Sequence, residues 1–281
     1  MKTVISSATK EVIIGNEQPT VIIGECINPA GKRKLTTALQ AGDLEPVRQE
    51  ALDQVKAGAD ILDINVGAIG VDEVTLLPQA VEIVRETVDV PLCLDSDNPK
   101  ALEAAIKVYQ GKPLVNSVTG QKDSMEKILP LVKEYGTAVI GLTIDDEGIP
   151  NNSERRVGIA HKIVEQAEVL GIAREDIIID CLALTVGSDF RAGVVTIEAM
   201  HKIKAELGVN LTLGVSNISF GLPERSLLNG TFLSIAIAAG LNCPIVDAAQ
   251  VLQIVLAADL ALGRDQFAMR YIKAHRQRCK E

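Results

Sequence analysis

Residues Ala59–Gly67 read A-D-I-L-D-I-N-V-G, an apolar run of strand length that ends in acid and amide side chains where a buried strand would stop. The same design recurs on both sides of it. Upstream stands VIIGECIN (Val21–Asn28); downstream come VPLCLDSDN (Val90–Asn98), PLVNS (Pro113–Ser117), IIIDC (Ile177–Cys181) and LTLGVSN (Leu211–Asn217). Recurrence at intervals of roughly 30–40 residues is the pattern of an α/β chain folded as a (β/α)8 TIM barrel, whose active site gathers at the C-terminal ends of its strands. The polar residues that converge there are Asp63, Asn65, Asp95, Asn116, Asp180 and Asn217. No histidine is among them. The set suits hydrogen bonding to a nitrogen heterocycle and is poorly suited to holding a transition metal or activating a serine.

The chain has 281 residues, the usual range for one such domain and enough to bury a large core. Hydrophobic residues make up 47% but aromatics only 2%, and Trp is absent, so the core must be aliphatic. That is the composition favoured inside parallel sheets and their covering helices. A formal charge of −9 argues against nucleic acid and anionic membrane as partners, since both need basic patches. The local exception is Lys32-Arg33-Lys34. The stretch MKTVISSATKEVII has no apolar core of signal-peptide length, and Thr231–Leu241 is too short to span a bilayer. A cytoplasmic protein is the expectation. The five cysteines, Cys26, Cys93, Cys181, Cys243 and Cys279, are odd in number and widely scattered, which does not read as a disulfide framework.

Within residues 1–20, Val4–Ser6 and Val12–Ile14 read as a hairpin closing the bottom of the barrel. Barrel strands are expected at Val21–Glu25, Ile61–Asn65, Pro91–Asp95, Pro113–Ser117, Ala138–Thr143, Ile177–Asp180, Leu211–Val215 and Pro244–Asp247. Residues after Asn28, through Gly31 and the basic triplet, read as a long loop. Helices follow at about Glu45–Ala57, Glu73–Thr87, Ser124–Tyr135, Glu154–Leu170, Val195–Leu207, Leu227–Ala239 and Ala248–Leu262, with another opened by Asn98 as N-cap and Pro99 at the first helical position. The tail, Gly263–Glu281, reads as a terminal helix. With no Pro/Gly/Ser-rich linker, residues 1–281 are expected to form a single domain. An open doubly wound sheet would also alternate strand and helix, yet neither G-x-G-x-x-G nor G-x-x-x-x-G-K-[ST] occurs.

Asp95 ends its strand in L-C-L-D-S-D-N-P, where Asp97 or Asn98 fits the capping role better and leaves Asp95 to face the barrel mouth. Asp180 has no helix starting directly after it, so capping explains it less well. A buried carboxylate needs partners, and a ligand edge with adjacent N–H groups would supply a bidentate one. Asn116 and Asn217 each offer two donors and an acceptor. One strand-end Asn is more often a turn former, but two of them beside two aspartates favour a site. Other chemistries fail. His161, His201 and His275 fall on expected helices, no C-x-x-C or H-x-x-x-H occurs, G-x-S-x-G is missing, and no strand end carries a lysine.

The segments GADILDINVGA, VPLCLDSDNPKALEAAI, PLVNSVTG, AVIGLTIDDEGIP, IIIDCL and LGVSNISFGLPERSLLNGTFL resemble, in order and spacing from about Val21 to Asp265, the methyltetrahydrofolate:corrinoid protein methyltransferases of the pterin-binding barrel superfamily. Dihydropteroate synthases are similar at GADILDI and VPLCLD, but their T-P-D-S-F and G-G-E-S-T runs are replaced here by INPAGKRK and INVGAIG. The resemblance implies that Asp95, Asn116 and Asp180 bind a pterin ring and that Gly214, Ser216 and Asn217 contact it, with Asn217 as the mobile donor near N5. It further implies methyltetrahydrofolate as substrate, no metal of the chain's own, a homodimer, and a corrinoid protein as partner. That partner is either a small carrier of an O-demethylase system or the corrinoid/iron–sulfur protein of the acetyl-CoA pathway. After G-V-S-N the chain reads ISFGLPERS, unlike the version associated with the acetyl-CoA-pathway enzyme. The alternatives are a dihydropteroate synthase-like enzyme and a folate-binding module without catalysis.

Overall fold

The computed structural model describes residues 1–279. Two short antiparallel strands come first, β1 (Lys2–Ser6) and β2 (Glu11–Gly15). Eight parallel strands then close into a barrel: β3 (Ile23–Ile27), β4 (Ile61–Asn65), β5 (Leu92–Asp95), β6 (Leu114–Thr119), β7 (Ala138–Leu142), β8 (Ile177–Asp180), β9 (Asn210–Gly214) and β10 (Cys243–Val246). They lie side by side in chain order, with β10 hydrogen-bonded to both β9 and β3. Closure removes the open doubly wound sheet from consideration. The (β/α)8 barrel read from the recurring strand ends is the fold of the chain.

Ten helices cover the described chain: α1 (Arg33–Gln40), α2 (Glu45–Lys56), α3 (Glu73–Thr87), α4 (Pro99–Val108), α5 (Lys122–Tyr135), α6 (Ser153–Val169), α7 (Ala192–Leu207), α8 (Arg225–Ala238), α9 (Ala248–Ala261) and α10 (Met269–Arg278). Asn98 caps α4 by accepting the Lys100 amide at 3.0 Å, with Pro99 at the first helical position. Gly136 and Gly208 end α5 and α7 in the left-handed region, at φ 62° and 67°, where a β-carbon would be strained.

Several boundaries shift by one to three residues from the sequence reading, β3 to Ile23–Ile27 among them, and two differences have a clear local cause. The expected long loop after Asn28 contains α1, which buries Leu35 and Leu39 one helical turn apart. Its eight residues begin at Arg33, and Lys32 at the N-cap makes no side-chain cap, so the usual start signal is missing. The eighth barrel strand stops at Val246 instead of Asp247, because Asp247 turns to cap α9 through the Ala249 amide at 3.0 Å.

Alternation along the strands decides which side chains reach the barrel interior. Ile23, Ile61, Cys93, Leu114, Ile178 and Cys243 form one inner cluster near the strand starts. Two residues further along each strand stand Glu25, Asp63, Asp95, Asn116, Asp180 and Ile245. The intervening Leu62, Leu94, Val115 and Ile179 pack outward under the helices, as does Leu92. The interior is therefore aliphatic below and polar above.

The hairpin seals the aliphatic end. Ile5 and Ile14 are fully buried in the same inner cluster. Asn210, at the foot of β9, donates through Nδ2 to Thr3 Oγ1 at 2.9 Å and to the Ile14 carbonyl at 3.0 Å.

Candidate functional site

Register brings the first polar arc together: Asn65 pairs with Asp95 across β4 and β5, and Asp95 with Asn116 across β5 and β6. Asn65 Nδ2 donates to Asp95 Oδ2 at 2.9 Å, and Asn65 Oδ1 accepts the Gly67 amide at 2.8 Å. Both ends of that amide are engaged, so Asn65 orients Asp95. Asn116 Nδ2 donates to Asp63 Oδ1 at 3.1 Å, which leaves the Asn116 carbonyl and one N–H for another partner. Asp63 itself is buried beneath this layer.

Asp180 closes the arc at the end of β8, also buried. Its Oδ1 accepts the Leu182 amide at 2.7 Å, and the nearby Gly214 amide favours its ionised form. The chain thus satisfies part of Asp180 itself, and the carboxylate that sequence left in need of a partner is already tied to the turn that follows its own strand.

The G-V-S-N segment sits differently from its expected place on strand seven. β9 stops at Gly214, and Val215–Ser219 form a single 3-10 turn. Ser216 Oγ donates to Glu25 Oε2 at 3.4 Å. Asn217 is exposed on this turn, and its side chain makes no hydrogen bond among the described residues. A β-carbon at Gly214 would come within 3.1 Å of Asn217 Nδ2, so glycine there leaves the amide its space. Arg225 pins the turn from α8, donating from Nη2 to the Ser216 carbonyl at 2.9 Å and from Nε to Ser219 Oγ at 3.0 Å. Its guanidinium stands 5.8 Å from the Phe220 ring centre.

Burial raises four carboxyls at the strand ends. Asp63 and Asp180 are each pushed up to about 6, chiefly because the surrounding protein replaces water. Asp95 lies well above the ordinary carboxylate range, from burial first and the negative charge of Asp63 second. Glu25 is pushed up to about 7 by burial, against the pull of its Ser216 hydrogen bond and with Asp247 and Asp63 adding to the rise. No ion pair among the described residues involves any of the four. The mouth is a set of acids short of donors, ready to take a ligand that brings N–H groups.

Two cavities flank the arc. One of about 430 Å³ is lined by Glu25, Ser216, Arg225, Asn229, Asp247 and Gln250. The other, about 650 Å³, opens over β5 to β7 beside Ser117, Thr119, Leu142 and Ile144. His161 lies away from both, paired with Glu206 at 2.8 Å on the helical layer. Among the described residues, no group of three or more His, Cys, Asp or Glu is placed to hold a metal ion. No helix among them is long and apolar enough to cross a membrane. Sequence reasoning singled out neither Glu25 nor Arg225. Glu25 could have been found from strand alternation alone, once β3 was placed.

Fold and mouth together define a barrel that gathers acids and amides at the ends of its strands. The model of the pterin binding enzyme family matches residues 24–247, and the chain belongs to that family. A methylcorrinoid:tetrahydrofolate methyltransferase of Eubacterium limosum is 32% identical over 92% of this chain and 96% of that protein. Methionine synthase of Mycobacterium tuberculosis is 32% identical over 88% of this chain, which spans 22% of that longer protein. These matches bear out the family resemblance drawn from the strand-end segments. Among solved structures, dihydropteroate synthase of Yersinia pestis with a pterine-sulfa conjugate superposes at a TM-score of 0.71 with 15% identity, covering 94% of this chain and 100% of that one. The Thermus thermophilus dihydropteroate synthase in complex with 6HMPPP gives 0.68 with 21% identity, covering 92% and 99%. At such identities the likeness is one of fold.

Proposed function

We propose that this chain moves the N5 methyl group between methyltetrahydrofolate and the cobalt of a corrinoid protein. The observation that carries the reading is the exposed, unbonded Asn217 amide, poised on its turn beside an arc of donor-poor acids. In this reading Asp95, Asn116 and Asp180 hold the pterin edge. Asp180 and Asp95 accept N–H groups of the ring, and the Asn116 carbonyl accepts a third. Gly214 and Ser216 lie against the ring, and Asn217 reaches N5. The match to the Eubacterium limosum methyltransferase over nearly its whole length supports the methyl group as cargo.

The chemistry fits these residue types. A tertiary amine leaves poorly unless positive charge or a strong hydrogen bond develops at N5 as the C–N bond breaks. A preorganised amide meets that need by stabilising charge as it forms. The corrinoid partner supplies the nucleophile, so the barrel requires none. The partner is a small O-demethylase carrier or a corrinoid/iron–sulfur protein, and the reading carries with it a homodimer in the cytoplasm.

Methyl transfer to free cob(I)alamin, followed spectroscopically beside folate titration after chelator treatment, tests the proposal. Binding with transfer is the expected result. Binding without transfer makes the chain a folate-binding module, and no binding removes the pterin site.

A further inference from the structure

Arg156 is the largest fully buried side chain of the protein, 1% exposed, yet no carboxylate pairs with it at ion-pair distance among the described residues. Its neighbour Arg155 is an ordinary surface residue, bonded to Asp145 and Glu147. Arg156 instead points inward from α6 and spends its donors on backbone. Nε donates to the Pro150 carbonyl at 2.9 Å. Nη1 reaches the Cys181 and Leu182 carbonyls, both at 2.7 Å, and Thr196 Oγ1 at 3.2 Å. Thr196 also donates to the Leu182 carbonyl, at 2.9 Å.

These contacts converge on one residue. Leu182 stands at φ 58°, a left-handed conformation that a leucine adopts only when its surroundings impose it. Its carbonyl is held by Arg156 and Thr196, and its amide is given to Asp180 Oδ1. Without the clamp, nothing in the leucine itself favours the turn that delivers that amide. A buried guanidinium has a large desolvation cost, so its placement here demands a gain beyond packing.

We propose that Arg156 is a positioning residue for Asp180: it fixes the Cys181–Leu182 turn whose backbone holds the Asp180 carboxylate in its binding orientation. The proposal rests on the reading of Asp180 as a pterin ligand. It also joins two loops of the barrel mouth, since Pro150 belongs to the segment after β7 and Leu182 to the segment after β8. The charged or titratable groups around Asp180 are Arg156 on α6, Cys181 beside it and Cys243 on β10. Both thiols stay neutral at physiological pH, their own pKa raised by burial.

The test compares wild type with Arg156→Lys and Arg156→Met. A lysine keeps the charge but cannot reach carbonyls in two loops as a planar fork does. Thermal unfolding, amide exchange over residues 177–186 and the pH profile of methyltetrahydrofolate binding are measured on each. In Arg156→Lys the fold is retained, exchange at the turn speeds at least about tenfold, and folate affinity falls about tenfold. The acid limb of binding also moves to higher pH, because Asp180 loses groups that favour its ionised form. Arg156→Met shows the same changes, larger. Lowered thermal stability with unchanged exchange, affinity and acid limb would make Arg156 a packing residue and overturn the proposal. If wild type fails to bind folate, the functional reading falls, and the exchange measurement still decides whether Arg156 holds the turn.

Discussion

Asn116 and Asp63 lie on strands separated by β5, yet Asn116 Nδ2 donates to Asp63 Oδ1 at 3.1 Å across the barrel interior. The bond fixes which way the Asn116 amide faces. One of its N–H groups is committed to Asp63, which turns its carbonyl away from that carboxyl. Asn116→Ala removes that acceptor and leaves a buried carboxyl with one donor fewer. Folate binding should weaken and unfolding stability should drop by about 1–3 kcal/mol. Isothermal titration beside denaturant unfolding checks both. A normal folate affinity would remove Asn116 from the ligand set.

The raised acids give the protein without ligand an unusual pH dependence. A carboxyl whose folded pKa exceeds its unfolded value stabilises the fold below the unfolded pKa, and that contribution is lost as pH rises through the folded pKa. For Asp63 and Asp180 the window runs from 3.8 to about 6, and each shift corresponds to about 3 kcal/mol. The melting temperature without ligand should therefore rise as pH is lowered from about 7 to 5. A ligand bringing N–H groups favours the ionised forms, so folate binding in this window should release protons. Titration in buffers of different ionisation enthalpy counts them. Zero release would mean that the acids do not meet the ligand.

Asp180→Asn separates binding from stability. The amide keeps an acceptor for the Leu182 N–H and removes a buried charge. Folate binding should weaken by about 2–5 kcal/mol, the range for losing a buried charged hydrogen bond. Unfolding stability at neutral pH should rise, since the cost of ionising a buried acid disappears. Loss of both together would identify Asp180 as a structural residue.

Asn217→Ala should slow methyl transfer by about 10²–10³-fold, the usual effect of losing one preorganised donor. Ground-state folate binding should suffer less, because only interactions that strengthen in the transition state raise the rate. Single-turnover transfer to cob(I)alamin, measured beside binding, reads the two effects. Equal losses would make Asn217 a simple binding residue.

Asn210→Ala tests the hairpin. The substitution deletes two hydrogen bonds from the foot of β9 to the first two strands. Stability should fall by about 1–3 kcal/mol with no change in folate affinity, because the site lies at the opposite end of the strands. A matching loss of affinity would show that the hairpin and mouth are coupled.

The strand-end acids and amides were legible because a barrel interior imposes a period of two, and each strand has a distinct aliphatic body before its polar end. α1 was not legible, since two leucines and an uncapped start are too little signal for a helix of eight residues. The role of Arg156 was hidden for a different reason. In S-E-R-R-V-G two arginines stand side by side, and only folding sends one to solvent and the other to the carbonyls of distant loops. The partners of Asp180 escaped sequence reasoning because they are backbone amides, which any residue carries.

The hairpin that plugs the barrel has a consequence for traffic. With the lower end stoppered by Ile5 and Ile14, a small molecule seated at the strand ends must come and go through the same doorway that a docking protein would cover. If a docked protein were to cover that doorway completely, the small molecule would have to load before it and leave after it, and an excess of the protein would slow its departure.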